Sequence, residues 1–77
     1  MTTEQLHLTF PRSLERERTV ATLRTSFPIH LRIRRANVEE QVSWFIVDVT
    51  GEDDEIEHAV AWLLDQGVQV DRIPIEE

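Results

Sequence analysis

Residues 43–51, with the sequence Ser-Trp-Phe-Ile-Val-Asp-Val-Thr-Gly, form a nearly continuous apolar run that ends at a glycine. The side chains on one face of the predicted strand are Phe45, Val47 and Val49, and those on the other face are Trp44 and Ile46. Because large apolar residues occupy both faces, the pattern is typical of a strand buried inside a sheet. We therefore expect a central strand that ends at Gly51.

A helix is predicted directly after this strand. The acidic residues 52–55 suit a helix N-terminus, where carboxylates meet unpaired backbone N–H groups, and Asp53 or Asp54 is the expected N-cap. Apolar residues then recur at helical spacing, namely Ile56, Ala59, Val60, Leu63 and Leu64. Gly67 has the position of a C-cap glycine, and a new extended run begins at Val68.

The first half of the chain has the same order of strand, helix and strand. The apolar residues of the first strand are Leu6, Leu8 and Phe10, which alternate with polar residues. Pro11 ends this strand, and Ser13 is the expected N-cap of a helix over residues 14–26. The weaker apolar face of this helix comprises Val20, Leu23 and Phe27. Pro28 prevents the helix from continuing.

The second strand is predicted to have one apolar and one basic face. Its apolar face comprises Ile29, Leu31 and Ile33, and its basic face comprises His30, Arg32 and Arg34. We expect a bend or bulge near Asn37, and a turn over residues 39–41 before the third strand. In the last strand the parity of the apolar residues changes between Val70 and Ile73, which predicts a bulge or a strand end near Asp71.

The order β-α-β-β-α-β predicts an α+β, ferredoxin-like fold over residues 1–77 as a single domain. Right-handed crossovers place both helices on one face of a four-stranded antiparallel sheet. The other face is expected to carry His7, His30, Arg32, Arg34, Trp44 and Ile46. Two large apolar residues on an uncovered face indicate contact with a second chain, and we expect a homodimer.

Composition excludes several classes of function. The chain has 15 acidic and eight basic residues and a net charge of −7, which disfavours nucleic-acid binding. Without cysteine it has no disulfide or thiolate chemistry, and without a long apolar run it is not expected to insert into a membrane. The serines have no recognisable base partners, and the three histidines match no metal motif. We expect a cytoplasmic domain that is not an enzyme and holds neither a metal nor a cofactor.

Three segments together resemble a known family. They are residues 35–40 (Arg-Ala-Asn-Val-Glu-Glu), residues 45–51 and residues 56–63. In these segments the chain is similar to the NIL domain. This small regulatory domain occurs at the C-terminus of the ATP-binding subunit of methionine-import ABC transporters, fused to ferredoxin-type domains, and alone. An Asn-Ile-Leu run on the second strand gives the family its name, and Arg32-Ile33-Arg34 has that position here.

The resemblance implies a ferredoxin-like fold, a homodimer, and an amino-acid ligand, which is methionine in the transporter. It also implies a transporter or a ferredoxin-type protein as partner. An amino acid needs a cation for its carboxylate and an apolar wall for its side chain. The candidate ligand-binding residues are Arg32, Arg34, Asn37, Trp44 and Ile46. The chain has no Walker A loop of its own, so we expect a separate regulatory or accessory module.

Two alternatives stay open. The connection between the second and third strands is shorter than is usual in the family, and Arg32 replaces the family's asparagine. Both differences favour a protein-interaction module that has lost the ligand site. Ferredoxin-like domains also bind single-stranded RNA on the sheet through exposed aromatic residues. Here Trp44 is the only good candidate for stacking, and the acidic net charge opposes this function.

Overall fold

The secondary structure has six elements in the order that the sequence predicts. The structure, a computed structural model, describes residues 1–74. The strands are β1 (Thr2–Pro11), β2 (His30–Val38), β3 (Val42–Gly51) and β4 (Gln69–Ile73), and the helices are α1 (Arg16–Ser26) and α2 (Asp53–Gln66). The turn expected over residues 39–41 is confirmed. Within the described residues, neither helix has the length and apolar character needed to span a membrane.

The four strands form one antiparallel sheet in the spatial order β2-β3-β1-β4. Its central pair is β1 and β3, which lie opposite each other from Thr2 with Gly51 to Pro11 with Val42. The buried side chains of both helices pack with those of one sheet face into a single cluster. This is the βαββαβ arrangement of ferredoxin-like folds, and the predicted fold class is confirmed.

The hydrophobic core lies between the helices and one face of the sheet. Its members from the strands are Leu6, Leu8, Phe10, Leu31, Phe45, Val47 and Val49, and those from elsewhere are Leu23, Ile56, Ala59, Val60, Leu63 and Val68. The rings of Phe10 and Phe45 pack with their centroids 5.3 Å apart. The ring of Trp62 packs at 6.0 Å against Phe27, directly after α1. Trp62 therefore links α2 to the end of α1.

A β-bulge interrupts β2 at Arg34. Ile33 lies opposite Val47, but the next paired residue is Arg35, which lies opposite Ile46. The extra residue reverses the parity of the strand, so Ala36 faces the helices and Arg35 faces away from them. Without it, strict alternation would place the Arg35 guanidinium on the apolar face, where an unpaired charge is costly. A bulge was expected near Asn37, so its predicted position was wrong by three residues.

The start of α1 also differs from the prediction. Residues 11–14 form a turn, closed by a hydrogen bond of 3.0 Å from the Leu14 N–H to the Pro11 carbonyl oxygen. The helix consequently begins at Arg16, and Glu15 is the N-cap without a side-chain capping bond. The prediction that Ser13 caps this helix was therefore wrong. Because residues 11–14 form the turn that follows β1, α1 cannot begin until this turn is complete.

The ends of α2 show one error and one confirmation. Its N-cap is Glu52, so Asp53 and Asp54 lie within the first turn, and the prediction of either as N-cap was wrong. The carboxylates still lie at the positive end of the helix dipole. At the other end, Gly67 adopts the left-handed conformation with φ 98°, and its N–H bonds the Leu64 carbonyl oxygen at 3.1 Å. The side chain of Leu64 is 55% exposed, so it does not join the core.

Strand β4 pairs regularly with β1. Gln69 lies opposite Thr9 and Ile73 lies opposite Gln5, with no register shift at Asp71. Of the two expected alternatives, the bulge near Asp71 was wrong, and the strand ends two residues later, at Ile73. Val70 therefore packs against the core, whereas Ile73 faces away from the helices. Residues 75–77 lie outside the described residues.

Replacing Gly67 by alanine should lower the free energy of unfolding by about 1 kcal/mol, because a residue with a Cβ is strained at positive φ. A Cβ at this position would meet no other atom within 4 Å, so the cost is conformational and not steric. Urea unfolding measures it. Gln66→Ala, at the exposed last residue of α2, is the matched control, with an expected change within about 0.5 kcal/mol. Equal stability of the two variants would contradict the capping role of Gly67.

Candidate functional site

The face of the sheet that points away from the helices is here called the open face. Its residues from β2 are His30, Arg32, Arg35 and Asn37, those from β3 are Trp44, Ile46, Asp48 and Thr50, and those from β1 are Gln5, His7 and Thr9. Directly opposed residues share a face, so Arg32 lies beside Asp48 and Asn37 beside Trp44. Cationic, aromatic and acidic side chains are thereby brought together on one surface.

Asp48 holds the polar part of this surface in place. Its Oδ2 accepts a hydrogen bond of 3.3 Å from Nη1 of Arg34, and its Oδ1 accepts one of 3.3 Å from Nε2 of Gln5. The Arg34 side chain is 49% exposed, whereas that of Asp48 is only 21% exposed. The bulge thus leaves Arg34 on the open face as well, joined to the central strand by an ion pair.

The aromatic part of the surface consists of Trp44 and His7. Their rings are stacked, with centroids 5.4 Å apart and planes inclined by 27°. Nδ1 of His7 also lies 3.9 Å from Oδ2 of Asp71 on β4. Trp44 and Ile46 are half-buried and not fully exposed, because neighbouring side chains of the same face cover part of each. The strongly exposed apolar patch expected on this face is therefore smaller than the sequence indicates.

The structure brings all five candidate residues together. Arg32, Asn37, Trp44 and Ile46 lie on the open face by their register, and Arg34 reaches it through Asp48. The same register adds three neighbours that the candidate site did not include, Arg35, Asp48 and His7. Arg35 could not be found from alternation, because the bulge at Arg34 reverses its parity. Alternation was sufficient to find the other two, because Asp48 shares the parity of Ile46 on β3 and His7 lies opposite Ile46 on β1.

A second concave feature lies on the other side of β2, here called the α1–β2 groove. It has a volume of about 410 Å³. Its lining is formed by Arg16, Glu17, Val20, Ala21 and Arg24 of α1, by Ile33, Ala36 and Val38 of β2, and by Phe45. The floor is apolar, and the charged residues all come from α1. Sequence periodicity did not predict this groove, because it depends on the distance between a helix and an edge strand.

Metal binding finds no support in the geometry. Within residues 1–74, no group of three or more histidine, cysteine, aspartate or glutamate side chains is placed to hold a metal ion. His7 and His30 lie on strands separated by β3.

The Arg34–Asp48 ion pair should contribute less than about 1 kcal/mol to stability, because one partner is half exposed and solvent screens the pair. A double-mutant cycle with Arg34→Ala and Asp48→Asn, followed by urea unfolding, measures this coupling. The coupling should fall further when the cycle is repeated in 1 M salt, where the Debye length is about 3 Å. A coupling of more than about 2 kcal/mol that salt does not change would contradict a screened surface pair.

Comparisons with known proteins agree with this fold. A search of the curated proteins gives no match. Among solved structures, the chain is similar to the C-terminal domain of an ABC transporter ATP-binding protein from Enterococcus faecalis, with 16% sequence identity and a TM-score of 0.79. The alignment covers 95% of this chain and 86% of that one, and at this identity the likeness shows a shared fold. The family model of the NIL domain matches residues 4–72. The chain therefore belongs to the NIL domain family.

Proposed function

We propose that this protein is a regulatory module of a transporter that binds an amino acid, with methionine as the first candidate. Membership in the NIL domain family carries the proposal, because the family model covers residues 4–72. The Enterococcus faecalis domain with the same fold belongs to an ATP-binding protein of an ABC transporter, and such subunits are cytoplasmic. We accordingly place the activity of this chain in the cytoplasm, next to a transporter or a related protein partner.

The open face offers the groups that an amino acid needs. Arg32 and Arg35 have no carboxylate within 4.0 Å in the described part of the chain, so either guanidinium is free to bind the ligand carboxylate. Asp48, already held in place by Arg34 and Gln5, can accept a hydrogen bond from the ligand ammonium group. An apolar ligand side chain would lie against Ile46 and Trp44, with the amide of Asn37 beside them.

This arrangement needs a second copy of the chain. A single sheet face provides one wall, whereas small-molecule sites bury most of the ligand surface. Two open faces packed together would provide the second wall and would cover Trp44 and Ile46. The alternative of pairing β2 with β2 is disfavoured, since it would bring the arginines of one copy next to those of the other. We therefore propose a homodimer through the open face, with ligand binding and dimerisation coupled.

Thermal melting with each of the standard amino acids, together with light scattering, tests the proposal. Methionine should raise the melting temperature by a few degrees, because a ligand that binds only the folded state stabilises it by mass action. Light scattering should give the mass of a dimer. Arg32→Ala and Trp44→Ala should each abolish the shift without preventing folding, since both side chains lie on the surface.

Arg18→Ala is the matched control for these variants. The Arg18 side chain is 81% exposed on α1, so its removal changes the charge equally but leaves the open face intact. The methionine shift should be unchanged in this variant. Titration calorimetry that detects no heat with millimolar methionine would refute a methionine site, and a monomer at all concentrations would refute the shared site.

A second candidate is a protein-interaction module without a ligand. The short turn between Val38 and Val42 and the arginine at position 32 favour it, since both depart from the family pattern. In that case no amino acid should shift the melting temperature, while a stable homodimer or a complex with another protein persists. The two candidates therefore give opposite results in the same melting experiment.

A further inference from the structure

The arginines are distributed unevenly over the fold. All eight basic residues are arginines, and seven of them lie between Arg12 and Arg35, on α1, β2 and the turn before α1. The eighth, Arg72, is bound on the opposite edge of the sheet by Glu4 and Glu57, and its hydrogen bond to Glu57 raises the pKa of its guanidinium above the ordinary value. The α1–β2 side of an acidic protein therefore carries seven arginines, against the carboxylates of Glu15 and Glu17 at the start of α1.

Within residues 1–74, most of these arginines form no ion pair. Among the described residues, Arg18 lies 4.0 Å from Glu15 and Arg34 lies 3.3 Å from Asp48. In the part of the chain that the structure describes, the arginines with no carboxylate within 4.0 Å are Arg12, Arg16, Arg24, Arg32 and Arg35. Two of these line the α1–β2 groove and two lie on the edge strand next to it. The charge around the groove is thus available to an anionic partner.

Strand β2 is the edge of the sheet on this side, with β3 on its other flank. An edge strand presents unpaired N–H and C=O groups that an extended segment can bind. Its helix-facing residues Ile33 and Val38 are 42% and 54% exposed, although they line the groove floor. Its residues on the other face are Arg32 and Arg35. The edge is therefore apolar on one side and cationic on the other.

We propose that β2 and the α1–β2 groove bind an acidic, extended segment of a partner protein as a fifth strand. Side chains of an added strand alternate between the two faces. Those that point to the helix side would pack on Ile33, Ala36 and Val38, so they should be apolar. Those that point to the open face would lie opposite Arg32 and Arg35, so they should be acidic. The occupant is thus a segment in which apolar and acidic residues alternate.

The dimensions and charges agree with this occupant. Arg16 and Arg24 are the first and last residues of α1 in the groove lining, eight residues apart on one helix, which corresponds to about 12 Å. An extended segment of about four residues spans that length. A second copy of β2 would instead place arginine beside arginine, and like charges on neighbouring strands are destabilising. The bulge and the arginines therefore hinder pairing with neutral or basic strands and admit an acidic one.

Fluorescence anisotropy tests the proposal with a labelled peptide of alternating valine and glutamate, as long as β2. Two comparison peptides carry lysine in place of glutamate or N-methyl groups on alternate amides. The glutamate peptide should bind, with an affinity that falls as salt is raised. The lysine peptide should fail for lack of charge complementarity, and the methylated peptide should fail because it cannot pair with the edge.

Variants locate the site. Arg32→Glu and Arg35→Glu should each weaken binding by about fivefold or more, because the acidic side chains of the added strand lie opposite these two arginines and repulsion would replace each exposed ion pair. Arg18→Glu, with the same charge change outside the groove, should leave the affinity unchanged. Melting curves of all three variants confirm that they are folded. If Arg18→Glu lost as much affinity as Arg35→Glu, the peptide would be held by general charge attraction, and the proposed site would be overturned.

Two further results would overturn the proposal. Equal binding of the N-methylated peptide would exclude an added strand. An assembly in light scattering that the glutamate peptide disperses would mean that β2 already pairs with a second copy. Arg32 and Arg35 take part in both proposals, but neither result requires methionine. The N-methylated peptide tests backbone pairing at the edge of β2, which the amino-acid site does not use. Failure of this proposal is therefore distinct from failure of the amino-acid site on the open face.

Discussion

β1 and β3 are paired over their whole length, and the rest of the structure depends on this pairing. The register runs from Thr2 opposite Gly51 to Pro11 opposite Val42. It brings the buried side chains of both strands together as one continuous apolar surface, on which both helices pack. A shift by one residue would turn every one of these side chains to the other face. The same register therefore fixes the contents of the open face, including the stacked rings of His7 and Trp44.

The bulge at Arg34 is a local exception to this order, with consequences on both faces. On the helix side it places Ala36 and Val38 on the same face as Ile33. The apolar floor of the α1–β2 groove therefore continues to the end of the strand. On the open face it places Arg35 opposite Ile46 and leaves Arg34 to bind Asp48. One inserted residue thus separates the apolar from the cationic side chains of β2.

Periodicity was sufficient to predict the elements, their order, the sheet and most of the core, because burial imposes a period that is visible in the sequence. It also placed Arg32, Arg34, Trp44 and Ile46 on one surface, but not Asn37, whose parity the bulge reverses. It failed where a single local bond decides the outcome, as at the turn from Pro11 to Leu14 that delays α1. Periodicity also failed at the bulge in β2. It failed again at Leu64, which has helical spacing but lies at the border of the buried face of α2. The sequence shows that seven of the eight arginines lie between Arg12 and Arg35, but not that Arg16 and Arg24 line one groove beside β2.

The grouping of the arginines on α1 and β2 connects the two proposed binding surfaces, the open face and the α1–β2 groove. An edge strand is exposed to pairing with other chains, and charged residues and bulges are the usual protection. β2 carries both devices, which explains its arginines without any ligand. The apolar groove beside it is not explained in this way, since protection of an edge does not require exposed Ile33 and Val38 next to unneutralised Arg16 and Arg24. The arginines on and beside β2 repel most strands but attract an acidic one. The edge of β2 therefore selects its partner by electrostatic complementarity.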